Sequence, residues 1–263
     1  MLALIAGSGQ LPRHVSKAAA PAVICELLQF PSGLPGAEPI RIEHLGSVIA
    51  DLKSRGITEV CLAGAIGRPP LDPSAIDAAT MPLVPQMMMA LRSGDDAALR
   101  AVLAFFEEAG LRIAGAHELA PDLLPKAGIP TAAQPRDRDR SDAARGAAIM
   151  AAMGAADVGQ SCVIAGGQAI ALEAAGGTDW MLASIAGDRR PEGASGGVLY
   201  KAPKPLQDRR VDLPVIGPET VAGVKAAGLS GVVIASGGVM VLDLEMTIAA
   251  ADACGLFLWV REE

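Results

Sequence analysis

The chain has 263 residues, enough for two domains or for one large one. Its net charge of -7 and pI near 5.1 exclude a general nucleic-acid binder, which would carry a basic footprint. An apolar content of 51% with only 3% aromatic residues is that of an Ala-rich α/β protein and excludes disorder. The longest uncharged run, Ala226 to Leu242, is interrupted by Gly228, Gly231, Gly237 and Gly238 and falls short of the ~20 apolar residues of a spanning helix. No basic stretch leads into an apolar one as in a signal peptide, so the expectation is a cytoplasmic protein. Cys25, Cys61, Cys162 and Cys254 are scattered in apolar surroundings, the pattern of buried, reduced thiols. His14, His44 and His117 lack ligand spacing, so no zinc site is expected.

Met1 to Ala6 is an apolar run that ends in Gly7-Ser-Gly-Gln-Leu-Pro12, and an amphipathic segment to about Ala20 follows. That is a strand, a glycine turn and a helix start, where free amides and the helix dipole can receive an anion. Pro12 stands where the dinucleotide fingerprint has its third glycine, so NAD binding is not supported. A merely structural tight turn fits equally well. Strands are expected at Ala22 to Leu27, Pro39 to Glu43, Glu59 to Ala63 and Arg112 to Ala116, and helices at Ser47 to Arg55, Met81 to Arg92 and Asp95 to Ala109. This alternation implies parallel pairing through right-handed crossovers, hence a Rossmann-like domain over residues 1–130.

Within that half, Gly64-Ala-Ile-Gly-Arg-Pro-Pro70 follows a strand directly, where binding sites of open α/β sheets collect; Arg68 is either a phosphate partner or a plain surface residue. Met87-Met-Met89 reads as core, with a Met-lined acyl groove as the alternative. Asp95-Asp96 reads as a helix cap. From Gly128 to Arg140 the apolar period vanishes, two prolines appear and Arg alternates with Asp, so residues 131–140 are expected to be a linker.

Residues 141–263 then read as a second α/β domain with a mixed sheet. Asp142 to Ala156 has a helical pattern. Cys162 to Glu173 and Val232 to Asp243 repeat one pattern: apolar run, Gly-Gly turn, apolar run, acid. Both are expected to be hairpins, with Pro218 to Gly228 a helix between them and Asp252 to Val260 a last strand.

The densest charge lies between Val198 and Gly217, where Lys201, Lys204, Asp208, Arg209, Arg210 and Asp212 fall within twelve positions. Pro203, Pro205 and Pro214 forbid a continuous helix there. In an extended segment Asp208, Arg210 and Asp212 would share one side. Two carboxylates beside a guanidinium make either a cradle for a magnesium ion and a phosphate or a solvated ion-pair ladder.

The run from Lys201 to Thr220, followed by Ala-Ala-Gly-Leu-Ser-Gly at 226–231, resembles the signature of the LpxI-type UDP-2,3-diacylglucosamine pyrophosphatases, lipid A pathway enzymes of Gram-negative bacteria. Ile5 to Pro12, Asp157-Val-Gly-Gln160 and Gly177-Thr-Asp-Trp-Met181 agree with that family, in order along the chain. The resemblance implies hydrolysis of UDP-2,3-diacylglucosamine to 2,3-diacylglucosamine 1-phosphate (lipid X) and UMP, assisted by Mg2+ or Mn2+. It points to Asp212, Asp208 and Arg210 as the catalytic group, and to Asp212, Asp208 and Glu173 as metal ligands. Substrate contacts are expected from Gly7, Ser8, Gly9, Gln10, Lys201, Lys204, Gln207, Arg209, Thr178 and Asp179. A plain helix cap is the competing reading of Thr178-Asp179. The family has an acid immediately before its Gly-Thr-Asp; here that position is Gly176.

A diacylated substrate implies an apolar groove between the two domains and transient contact with the inner-membrane surface, peripheral at its inner face. A homodimer is an open option. Two other functions compete: a non-catalytic sugar-nucleotide binding protein, and a nucleotide-dependent oxidoreductase.

Overall fold

The computed structural model describes residues 1–67, 70–93, 95–189, 195–205 and 207–262, in two compact units, Met1–Pro121 and Asp122–Glu263. Arg68, and the side chains of Asp95 and Asp96, lie outside the described part.

Unit 1 has strands β1 (Leu2–Ala6), β2 (Val23–Leu27), β3 (Glu38–Ile40), β4 (Glu59–Ala63) and β5 (Arg112–Ile113). Their order is β3-β2-β1-β4-β5 and every pair is parallel. The sheet is the Rossmann-like one expected. Central β1 is apolar without alternation, with Ala3, Leu4 and Ala6 fully buried, as a parallel strand covered on both faces must be. The helices are α1 (Leu11–Ala19), α2 (Leu45–Ser54), α3 (Val84–Ser93), α4 (Asp95–Glu108) and α5 (Ala116–Leu119).

Two expected strands are shorter than their apolar runs. β3 stops at Ile40 because the chain turns into a 3-10 segment, Ile42–His44, where buried Glu43 accepts the Asp72 amide at 3.0 Å and the Arg41 guanidinium at 3.2 Å. β5 stops at Ile113, and Gly115 caps α5.

Unit 2 has a sheet ordered β12-β10-β8-β6-β7, built from β6 (Ser161–Ala165), β7 (Gln168–Leu172), β8 (Val198–Lys201), β10 (Gly231–Ala235) and β12 (Phe257–Arg261). β8, β10 and β12 run parallel, while β6 is antiparallel to both β7 and β8, so the sheet is mixed as expected. A separate pair joins β9 (Val215–Ile216) to β11 (Met240–Val241). The helices are α6 (Asp137–Ala155), α7 (Gly177–Ser184), α8 (Pro218–Ala226) and α9 (Leu244–Cys254).

Alternation along the strands splits the core into two layers. Val163, Leu199, Val232 and Ile234 meet Leu182, Val221 and Val224 of α7 and α8. Cys162, Ile164, Tyr200 and Val233 meet Ala143 and Met150 of α6. Gly146 lets α6 approach this face, because a Cβ there would stand 2.7 Å from the Tyr200 Cβ.

Three expectations in this unit are corrected. Residues 131–140 are no bare linker: α6 starts inside them, the Arg136 amide donates to Asp139 at 2.9 Å, and buried Thr131 accepts the Leu258 amide at 3.0 Å. Asp137 and Asp139 sit in the first turn, where carboxylates complement the helix dipole. The second hairpin does not form, because β8 and β12 occupy both edges of β10 and leave β11 to pair in parallel with β9. Asp252 to Val260 is not one strand: α9 runs to Cys254, Gly255 ends it with φ 67°, and β12 begins at Phe257. Among the described residues, no helix is long and apolar enough to cross a membrane.

Candidate active site

The site grows from strand register. The Gly166-Gly167 turn folds β7 back on β6, so the residue after β7, Glu173, lies beside the first residue of β6, Ser161; the Glu173 amide donates to the Ser161 carbonyl at 3.0 Å. β8 pairs antiparallel with the other edge of β6 and sets Lys201 opposite Ser161. One sheet end thus gathers an acid, a hydroxyl and an amine, all buried.

Burial obliges these groups to find partners. The Glu173 carboxylate accepts the Ser161 hydroxyl at 2.5 Å, the Thr178 hydroxyl at 2.6 Å and the Gln160 amide at 3.3 Å. The Lys201 ammonium donates to the Thr178 hydroxyl at 2.5 Å and stands 3.6 Å from Glu173. Burial pushes the Lys201 pKa down from the ordinary lysine value, against Glu173, Asp179 and Asp212, which favour the charged form. Gln160 links this network to Asp212 as well, since its side-chain amide donates to the Asp212 carboxylate at 3.4 Å.

Thr178 is therefore more than a cap. α7 starts at Gly177 with Gly176 before it and no side-chain cap, and the Thr178 hydroxyl is spent on Lys201 and Glu173. The start of α7 is tied to the sheet end, and next to it opens a cleft of about 490 Å3. Its walls are Gly176 to Asp179 at the start of α7, Val215 and Ile216 of β9, Gly217 to Thr220 at the start of α8, and Leu242, Asp243 and Met246 at the start of α9. Three helices begin at the cleft, and Asp179, Glu219 and Asp243 set carboxylates on its walls beside those helix starts. Gly217, Asp243 and Met246 were not foreseen from the sequence, and neither was Ser161 as a partner of Glu173.

The Val198 to Gly217 ribbon is not extended throughout. The amides of Val211 and Asp212 both donate to the Asp208 carbonyl at 3.1 Å, a turn that removes the expected alternation of Asp208, Arg210 and Asp212. The Asp208 carboxylate closes this turn on Arg210, accepting its amide at 3.1 Å and its guanidinium at 3.0 and 2.7 Å. Arg209 is exposed. Lys204 binds Asp157 at 2.5 Å, and its amide donates to Gln207 at 2.8 Å. The Gln207 side-chain nitrogen is buried with no hydrogen-bond partner among the described residues.

The three acids expected to hold a metal are not brought together. Glu173 is committed to Ser161, Thr178 and Gln160, and Asp208 closes the turn on Arg210. Among the described residues, no group of three or more His, Cys, Asp or Glu is arranged to hold an ion.

Gly7, Ser8, Gly9 and Gln10 lie in unit 1, between β1 and α1. The Gly7 and Ser8 amides donate to the Ala63 carbonyl at 2.8 Å and the Ala65 carbonyl at 2.9 Å, tying the turn to the end of β4. Met87 is buried, while Met88 and Met89 are exposed. Burial pushes the Cys25 thiol up to about 11 and those of Cys61 and Cys162 up to about 12, in keeping with inert core thiols.

Fold and site together define a two-unit α/β protein whose second unit sets a buried Lys201–Thr178–Glu173 network beside a cleft. Residues 1–123 match the LpxI N-terminal domain and residues 126–259 match the LpxI C-terminal domain. A protein of Caulobacter vibrioides named UDP-2,3-diacylglucosamine pyrophosphatase LpxI is 38% identical over 271 aligned positions, covering 98% of this chain and 96% of its own length. The chain belongs to the LpxI family.

Proposed function

We propose that the protein is a hydrolase that splits the pyrophosphate bond of UDP-2,3-diacylglucosamine to give 2,3-diacylglucosamine 1-phosphate (lipid X) and UMP, a step of lipid A biosynthesis. Beside the kinship with the Caulobacter vibrioides pyrophosphatase, one observation carries it: a cleft at three helix starts adjoins a buried lysine surrounded by Glu173, Asp179 and Asp212. Hydrolysis of a diphosphate needs its charge neutralised, a water placed in line and the leaving phosphate stabilised. The helix starts offset the charge of the diphosphate. Lys201 holds Thr178, and through it the first turn of α7, in place. Asp212, half-buried and held by Gln160, orients the water. Arg210, kept in place by Asp208, and Lys204 are the further phosphate partners of this reading.

A magnesium or manganese ion, for which the described residues offer no group of three or more acids, would supply charge neutralisation on the substrate's diphosphate. The protein works in the cytoplasm, with transient contact at the inner face of the inner membrane to collect its diacylated substrate. The test is release of UMP from UDP-2,3-diacylglucosamine by the purified protein, first with magnesium and then with chelator. UMP formed only with metal supports the metal-assisted hydrolase. UMP formed equally with chelator removes the cation, and tight binding without release removes the hydrolase in favour of a sugar-nucleotide scaffold.

A further inference from the structure

Beside the cleft stands an aromatic side chain that the hydrolytic scheme does not use. Trp180 lies in the first turn of α7, one residue beyond Asp179, and is 65% exposed in a chain with only two tryptophans. An indole is a costly group to leave in water, because it is the largest apolar surface a residue can present. Its position is fixed by Gly176, a wall residue of the cleft: a Cβ on Gly176 would stand 2.9 to 3.0 Å from the Trp180 ring atoms. The indole therefore lies against the backbone of the cleft rim, in space that a side chain at 176 would fill.

We propose that Trp180, laid on Gly176, is the stacking surface for the uracil ring of the substrate's UMP half. The inference rests on the pyrophosphatase reading for its ligand. Three features favour a base over an acyl chain. The indole is planar and largely exposed, which suits a planar ring; a flexible chain gains most when surrounded on several sides. The rim residue beneath it is a glycine that adds no apolar wall. The helix starts that would take the diphosphate begin at Gly177, one helical turn from Trp180, the separation of neighbouring parts of one nucleotide.

The second tryptophan makes the test direct. Trp259 lies on β12 with the Arg140 guanidinium 5.1 Å from its ring centre, so Trp259→Phe leaves Trp180 as the single reporter. In that background, UMP should quench tryptophan emission and ribose 5-phosphate or inorganic pyrophosphate should not. Trp180→Ala should raise KM for UDP-2,3-diacylglucosamine about 5- to 100-fold, the range of one base stacked on one aromatic ring, with the loss in KM rather than kcat. Trp180→Phe should recover most of it, and Gly176→Ala, by displacing the indole, should raise KM in the same direction. Quenching by ribose 5-phosphate or pyrophosphate equal to that by UMP overturns the proposal, as does quenching by lipid X but not by UMP, or an unchanged KM in Trp180→Ala. The two readings fail separately: wild-type protein that releases no UMP but is quenched by UMP loses the hydrolase and keeps the stacking surface, whereas normal turnover with an unchanged KM in Trp180→Ala does the reverse.

Discussion

Both units are built on a five-stranded α/β sheet, yet they use their charged groups differently. In unit 1 the well-bonded carboxylates fasten loops at the edge of the sheet. Glu26 receives the amide and hydroxyl of Ser32, Glu38 receives Arg55, and Glu43 holds the Asp72 amide. In unit 2 the polar groups go inside, with Ser161, Glu173 and Lys201 all less than a tenth exposed. Fastening a loop needs little more than a hydrogen bond to a carboxylate, half-buried at Glu26, exposed at Glu38 and buried at Glu43. Burying an amine beside a carboxylate has a large desolvation cost and is tolerated only with strict geometry, which here leads to the start of α7 and the cleft. The contrast is the reason the proposed chemistry is placed in unit 2.

The strongest way to break this comparison is at Asp212. Asp212→Ala is expected to lower turnover about 10²- to 10⁴-fold, the range for removal of a group that positions or deprotonates water. The melting temperature should stay within a few degrees of wild type, because Asp212 is half-buried and its carboxylate accepts a long hydrogen bond from Gln160. Steady-state kinetics beside a thermal melt decides it, and normal turnover in the variant removes Asp212 from the site. Thr178→Val comes next. It deletes the oxygen that accepts Lys201 and the hydroxyl that donates to Glu173, leaving two buried charged groups short of a partner, a loss of ~1–3 kcal/mol in stability. If the chain Lys201, Thr178, Glu173 positions α7, turnover falls too and Thr178→Ser restores it. Recovery of stability without recovery of turnover would mean the chain is only a structural strut.

What the sequence could and could not say follows from the range of the forces involved. The unit 1 sheet was legible because each βα step is local: an apolar run, a turn and an amphipathic helix read in turn. The first hairpin was legible for the same reason, since Gly166-Gly167 alone folds β7 onto β6. The second carried an almost identical pattern and failed, because its fate depends on β8 and β12, distant strands that already fill both edges of β10. The site divides likewise. Lys201, Thr178, Asp179 and Glu173 were singled out by motif and resemblance, and register brings them together. Counting across the predicted hairpin sets Gln160 opposite Glu173; the register shift between Val163 and Ile164 brings Ser161 there instead, and nothing local in the sequence signals that shift. Gly217 and Asp243 had no local signal, since they matter only because three helices start at one place. The alternation of Asp208 and Asp212 failed because Asp208 closes a turn on Arg210, a competition for backbone groups that periodicity ignores.

Gly46→Ala sharpens the comparison from the other side. A Cβ on Gly46 would stand 2.3 Å from the Ala79 carbonyl oxygen, and backbone cannot yield as a side-chain tip can. The variant should lose ~1–3 kcal/mol of stability in unit 1, as an overpacked core contact does. Quenching of Trp180 by UMP in unit 2 should persist at temperatures where unit 1 is still folded. Loss of that signal in the native variant would show that the units do not divide their tasks as described.

The smallest effect is the response of unit 1 to acid. The Ser32 hydroxyl and amide hold the Glu26 carboxyl below its ordinary value of 4.5, and the Arg55 guanidinium does the same for Glu38. A carboxylate with a lowered folded pKa stays ionised in the native state over a window where the unfolded chain has already taken up a proton. The unfolded state then binds more protons, so stability rises with pH across that window. The contribution is complete above 4.5 and disappears as pH falls through the lowered folded values. Both groups are near the surface, where solvent screens such terms, so the expected change is a drop of a few degrees in the unit 1 melting temperature between about pH 6 and pH 3. In Glu38→Gln the acid-dependent part carried by Arg55 should vanish, flattening the profile while lowering the plateau. A profile as steep as wild type in both Glu26→Gln and Glu38→Gln would assign the acid response to other groups, and the edge fasteners of unit 1 would lose the electrostatic role that separates them from the buried network of unit 2.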